Sequence, residues 1–128
     1  MLLKDKVVIV SGIGPGLGQE LSTLAAKEGA SAVVLAARTE AKLEVAEEEI
    51  KALGLGTKVL KMATDIADKK QCAALADAAA KTFGRIDVLF NSAYNPGSFE
   101  PIESADMAGW RAAMDVNLFG TMYLSQAC

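Results

Sequence analysis

Val7-Val8-Ile9-Val10-Ser11-Gly12-Ile13-Gly14-Pro15-Gly16-Leu17-Gly18 runs from an apolar strand-like stretch through a glycine turn into the start of a helix-like segment. The glycines at 12, 16 and 18 give a G-x-x-x-G-x-G spacing, distinct from G-x-G-x-x-G. A phosphate group needs a chain that reverses sharply after a strand, backbone N–H groups aimed at one point, and no Cβ in the way. Gly12 suits the sharp turn, and Gly16 lets the backbone approach an anion. Gly18 lets the new helix lie close against the strand, and Pro15 fits the first helical turn, where its missing N–H costs least. A flexible Gly/Pro loop would contain the same residues, so the rest of the chain has to decide.

The rest of the chain repeats the same alternation. Apolar runs at Val7–Val10, Ala32–Ala37, Lys58–Ala63 and Ile86–Asn91 are separated by three helix-like segments and followed by a longer helix. Such a pattern predicts a parallel sheet covered on both faces. Leu17, Leu21 and Leu24 recur at helical spacing, as do Leu43, Ala46, Ile50 and Leu53, and then Cys72, Leu75, Ala79 and Phe83; each stripe reads as core packing. Gly29, Gly54 and Gly84 follow these helices where a left-handed C-terminal cap is needed. Right-handed crossovers put the strands in the order 3-2-1-4, with the glycine turn at the carboxyl end of the first strand. The expected fold is therefore α/β, a Rossmann-like doubly wound parallel sheet formed by one dinucleotide-binding domain over residues 1–128. Its edge is incomplete where later strands would follow.

Composition narrows the function. The 128 residues are 52% hydrophobic and 23% charged, as in a compact folded domain, and the formal net charge is -3. An acidic balance argues against nucleic acid or an anionic membrane as partner. No histidine is present and the two cysteines, Cys72 and Cys128, lie far apart in sequence, so neither a zinc site nor a histidine triad has its material. The N-terminal apolar run is too short for a signal peptide. A reducing cytoplasm is the simplest setting.

The closing helix, about Asp106 to Cys128, has one apolar stripe at Met107, Trp110, Met114 and Leu118 and another at Val116, Phe119 and Tyr123. Two apolar faces imply two partners, one of them the sheet and the other a neighbouring helix or a second subunit. A helix buried on both faces within one monomer fits the pattern equally.

Taken together, these residues resemble the short-chain dehydrogenase/reductase family. Ser11 to Gly18 is similar to that family's T-G-x-x-x-G-x-G turn, with Ser for Thr. Asp65-Ile66 falls after the third strand, Asn91-Ser92-Ala93 after the fourth, and Val116-Asn117-Leu118-Phe119-Gly120 in the long helix. The resemblance implies hydride exchange between NAD(H) or NADP(H) and a small-molecule alcohol or carbonyl. It implies that Ser11, Gly12, Gly14, Gly16, Leu17 and Gly18 build the cofactor turn. Asp65 would accept from the adenine amino group and Ile66 would offer its backbone N–H; by itself, Asp65 is as well read as a helix cap near Asp68. Asn91 would pack beside the adenosine ribose, with Ser92 and Ala93 lining the cleft. The family's usual run there is N-N-A-G, so Ser92 and Tyr94 depart from it. Tyr94 either projects toward the substrate side or packs on the Asn95-Pro96-Gly97 turn.

An NAD binder commonly ends its second strand in an acidic residue against the ribose 2′-hydroxyl. Here the strand ends Ala36-Ala37-Arg38-Thr39. Arg38 has the planar fork that suits a 2′-phosphate, which favours NADP over NAD; a solvated arginine at a helix start is the plainer reading. Pro15 stands where some NADP-specific relatives carry a basic residue.

Of the family's Asn-Ser-Tyr-Lys catalytic set only Asn117 is present, and the resemblance implies that it opens the helix locally so that its carbonyl can hold a proton-relay water. No Tyr-x-x-x-Lys occurs: Tyr94 is followed at that spacing by Ser98, and Tyr123 by Ala127. The expectation is an amino-terminal half of a chain roughly twice this length, with Ser, Tyr and Lys beyond residue 128, acting as a homodimer or homotetramer built on the last helix. The alternative is a non-catalytic dinucleotide-binding or redox-sensing module.

Overall fold

The computed structural model describes all residues from 1 to 128. In chain order they form β1 (Val7–Ser11), α1 (Leu17–Lys27), β2 (Ala32–Ala37), α2 (Glu40–Ala52), β3 (Lys58–Ala63), α3 (Lys69–Phe83) and β4 (Val88–Asn91). A 3₁₀ turn at Ile102–Ser104 leads to α4 (Met107–Met114), which runs through a π-helical turn at Asp115–Gly120 into α5 (Thr121–Ala127). The sheet has the order β3-β2-β1-β4 and every pairing is parallel. This is the expected Rossmann-like topology, and it puts the loops after all four strands at one end.

Because side chains alternate along a strand, the two faces of the sheet build two cores. Val8, Val10, Val33 and Leu35 pack with Ala25 and Ala26 of α1 and Leu43, Ala46 and Ile50 of α2. Ile9, Val34 and Ala36 pack on the other face with Cys72, Leu75 and Ala79 of α3 and Leu124 of α5. Gly29, Gly54 and Gly84 all take positive φ just past the first three helices, as expected. No helix is long and apolar enough to cross a membrane.

Three local expectations are corrected. Of the leucine stripe in α1 only Leu21 packs on the core; Leu17 and Leu24 are exposed, and the helix buries Gly18, Ser22, Ala25 and Ala26. Small residues are what a helix needs when its first turn is drawn against a strand end. Pro15 lies before the Gly16 N-cap and is not inside the helix. In the closing helix, Val116 and Tyr123 do pack on the core, but Phe119 is exposed. The π-helical turn adds a residue to that repeat, rotating Phe119 outward and bringing Gly120 against Ile66, where a Cβ would stand 2.8 Å from Ile66 Cγ1. The Met107, Trp110, Met114 and Leu118 stripe is also exposed.

The fourth strand starts at Val88, later than the apolar run suggests, because Asp87 is used to anchor it. Asp87 N donates to Val7 O at 3.0 Å, and Asp87 Oδ2 accepts from Val7 N at 2.8 Å. Arg85 Nε donates to the other carboxylate oxygen at 3.0 Å. The Arg85 guanidinium, followed by the Val7 amide, holds the Asp87 carboxyl below its usual range. A depressed native pKa contributes stability above the unfolded value of about 3.9, and that contribution is lost as pH falls through the native value. Asp87→Asn is therefore expected to flatten the acid limb of the stability curve below about pH 4, as read by urea unfolding across a pH series. An acid limb identical to that of the wild type would show that this anchor carries no linkage.

Candidate functional site

A cleft of about 860 Å³ opens at the carboxyl ends of the strands. The glycine turn after β1 forms its floor, and the start of α2 and the loops after β3 and β4 form its walls.

The turn is held by backbone. Gly12 N and Ile13 N both donate to Ala36 O of β2, at 2.8 and 3.2 Å. Gly12 has φ 89°, and a Cβ there would stand 2.2 Å from Ala93 N, so the end of β4 abuts the turn. At Gly18 a Cβ would stand 2.1 Å from Gly12 O. Gly16, at φ 132°, differs from both, since a Cβ there would meet no protein atom within 4 Å. The amides of Gly14, Gly16, Leu17 and Gly18 donate to no protein group, and no side chain caps α1. A helix N-terminus with free amides and adjoining open space is physically suited to an anion.

Ser11 does not sit on the cleft wall. It ends a central strand flanked on both sides, is wholly buried, and its Oγ has no hydrogen-bond partner. Its contribution is main-chain, Ser11 O accepting from Ser92 N at 3.0 Å.

Arg38 lines the cleft beyond β2 together with Thr39 and Lys42, two residues that sequence reasoning missed. Thr39 is the N-cap of α2 but its side chain makes no capping bond. Neither Arg38 nor Lys42 forms an ion pair. Arg38 stands before the extended Thr39 N-cap, so helical spacing gave no signal for Lys42.

After β3, the cap of α3 is Asp68, whose Oδ1 accepts from Lys70 N at 2.9 Å. That bond holds its carboxyl below the usual range. The capping role is thus not Asp65's. Asp65 Oδ1 accepts from Ala67 N at 3.0 Å, and its other oxygen and the Ile66 amide have no protein partner. Both residues line the cleft.

Asn91, Ser92, Ala93 and Tyr94 line it from β4. Asn91 Nδ2 donates to Ser125 Oγ at 3.2 Å, tying the strand end to α5. Tyr94 is 71% exposed at the cleft rim and keeps negative φ, so a glycine-like conformation is not required of it. Asn95 Oδ1 accepts from Gly97 N at 2.9 Å, closing the turn that follows.

Asn117 lies in the π-helical turn beside Val116, a lining residue. Its side chain clasps the backbone of one residue of the β4 loop: Oδ1 accepts from Asn95 N at 2.7 Å and Nδ2 donates to Asn95 O at 2.8 Å.

Comparison with known proteins agrees with this architecture. The family model "short chain dehydrogenase" matches residues 6–128. An uncharacterized oxidoreductase of Staphylococcus aureus (strain USA300) is 36% identical over 126 residues, covering 98% of this chain and 52% of the relative. Among solved structures, a metagenomic short-chain oxidoreductase in complex with NADP superposes with a TM-score of 0.90 at 32% identity, covering 99% of this chain and 56% of that one. NAD+-bound xylitol dehydrogenase gives a TM-score of 0.92 at 25% identity, covering 99% and 48%. The chain thus spans about half the length of the curated relatives it matches. Since the family match runs from just before β1 through the end of α5, the chain belongs to the short-chain dehydrogenase family.

Proposed function

We propose that residues 1–128 form the cofactor-binding half of an NADP(H)-dependent oxidoreductase that interconverts a small-molecule alcohol and carbonyl. One observation carries this reading: the unpartnered amides of Gly14, Leu17 and Gly18, around an uncapped helix start, share a cleft with Arg38 and Lys42, neither of which forms an ion pair. A dinucleotide with a phosphate at each of two places fits that arrangement. Gly14, Gly16, Leu17 and Gly18 would hold the diphosphate, and Arg38 the 2′-phosphate. Asp65 and Ile66 would receive the adenine edge, and Asn91, Ser92 and Ala93 the inner wall. Bound nicotinamide nucleotide would supply or accept the hydride. Asn117 would steady the active-site side of the cleft through Asn95, and the general acid would come from outside these residues, which contain no Tyr-x-x-x-Lys. The exposed stripe of α4 would receive a second copy of the chain.

The redox-sensing alternative gains nothing from Cys72, which is buried. Burial pushes the Cys72 thiol up. Raised thiols are poor nucleophiles at neutral pH.

The test is titration of NADPH and NADH against Arg38→Ala. A charge-assisted contact contributes roughly 1.5–3 kcal/mol, so NADPH affinity should fall on the order of tenfold to a hundredfold. NADH affinity should be unaltered. Equal loss of both nucleotides would take the 2′-phosphate away from Arg38.

A further inference from the structure

We infer that Gln71 is a positioning residue of the cleft: by holding the Asp65 amide it keeps one Asp65 carboxylate oxygen free to accept from the exocyclic amino group of a bound purine. This rests on the proposal above that Asp65 and Ile66 receive the adenine edge. It adds a residue from the first turn of α3 that does not itself line the cleft.

Asp68 is the N-cap of α3, so Gln71 stands three residues on, where a glutamine ordinarily reaches back to accept from the N–H of the cap residue. Here that N–H is already taken, because Asp68 N donates to Asp65 O at 3.1 Å. Gln71 reaches further back instead: its Oε1 accepts from Asp65 N at 2.8 Å, and its Nε2 donates to Asp68 Oδ2 at 3.2 Å. The cap bond itself is made without the glutamine, through Asp68 Oδ1 and Lys70 N at 2.9 Å. Thr64 N still donates to Ala37 O of β2, at 2.9 Å, so Asp65 N is the first amide past the end of the sheet ladder. Gln71 supplies the acceptor at the point where β2 no longer does.

Asp65 O and Oδ1 are both spent inside the turn, on Asp68 N and Ala67 N, which leaves Oδ2 as its open acceptor. Ile66 is fixed from the core side and independently of Gln71. Cys72 Sγ donates to its carbonyl at 3.3 Å, and Gly120 packs so closely that a Cβ there would stand 2.9 Å from the same oxygen. An aspartate whose own N–H lacks another acceptor can fold its carboxylate back onto that N–H. With Gln71 present the amide is occupied and the carboxylate keeps its setting; without it, the open oxygen turns inward and is spent. The loss falls on the amino group of the base and leaves the Ile66 amide free to donate to the ring.

Purine riboside 5′-monophosphate tests this, because it has the ring of 5′-AMP without the amino group. Both monophosphates and NADPH are titrated against the full chain as wild type, Gln71→Met, Asp65→Ala and the double variant. Gln71 is solvent-exposed and methionine has a similar helix propensity; a thermal melt of each variant checks that the fold is retained. The wild type should hold 5′-AMP on the order of tenfold more tightly than the analogue, as expected of a bond to a charged acceptor. Gln71→Met should bring the two within about twofold by weakening 5′-AMP alone, and should change nothing further in the Asp65→Ala background. Equal weakening of both monophosphates would make Gln71 a general support of the turn and overturn the inference, as would a preference for 5′-AMP left intact. Either result, with NADPH still bound by the wild type, leaves the cofactor reading standing. A wild type that binds NADPH without preferring 5′-AMP removes Asp65 from the adenine and this inference with it, and one that binds no NADPH removes the cofactor reading as well.

Discussion

Gly18→Ala is expected to destabilise the protein by about 3 kcal/mol or more, a large part of a typical domain stability of about 5–15 kcal/mol. The reason is backbone against backbone: the added Cβ would stand 2.1 Å from Gly12 O and 2.9 Å from Gly12 C. No rotamer can relieve that collision, so α1 has to back away from β1 and the small-residue face of Ser22, Ala25 and Ala26 loses its packing. Gly12→Ala should behave similarly, since its Cβ would stand 2.2 Å from Ala93 N at φ 89°. Gly16→Ala provides the contrast. Its Cβ would meet no protein atom, leaving only the cost of a glycine-specific backbone, about 1–3 kcal/mol. It should still lose nucleotide affinity by about tenfold or more, because the Cβ enters the space beside the free amides. Urea unfolding and nucleotide titration together separate the three variants. Wild-type stability in Gly18→Ala would mean that α1 is not seated on the turn at all.

These glycines also show what was legible from residues alone. The roles of Gly12 and Gly18 follow from spacing, because a turn between a strand and a helix allows few other uses for residues without side chains. The sheet order was legible for a related reason: parallel strands with right-handed crossovers leave few topologies once four apolar runs and their separating helices are recognised. What stayed hidden depends on contacts between distant segments. The α1 stripe misled because leucine spacing records hydrophobicity and not the closeness of approach that selects Gly18, Ser22 and Ala25. The π-helical turn left only a faint trace, in the offset between the stripe at 107, 110, 114 and 118 and the one at 116, 119 and 123. Lys42 is one lysine among many in sequence, and only the folded chain brings it to the cleft. Asp65 was a credible cap for α3, and only the geometry gave that role to Asp68.

On the oxidoreductase reading proposed above, Asn117→Ala is expected to lower kcat by about 10²-fold while nucleotide affinity changes by less than about threefold. The fold should survive, at a cost of about 1–3 kcal/mol for the two hydrogen bonds to Asn95. Those are the only side-chain hydrogen bonds from the closing helix to the loop after β4, apart from the Asn91–Ser125 contact at its near end. Without them, Tyr94 to Gly97 lose their fixed height above the cleft and the π-helical turn loses its partner. Asn117→Asp sharpens the test, because a carboxylate still accepts from Asn95 N but opposes Asn95 O, where the amide donated. Protonation restores a donor, so the introduced carboxyl should have a native pKa above its unfolded value of about 3.9. Its stabilising contribution is then fully present below that unfolded value and is lost as pH rises through the native one. Asn117→Asp should therefore be less stable than Asn117→Ala near pH 7 and approach the wild type in acid. If the two variants instead track each other at every pH, the side chain does not clasp Asn95 in solution. Equal losses in kcat and nucleotide affinity for Asn117→Ala would make it a cleft-shaping residue with no separate part in the chemistry.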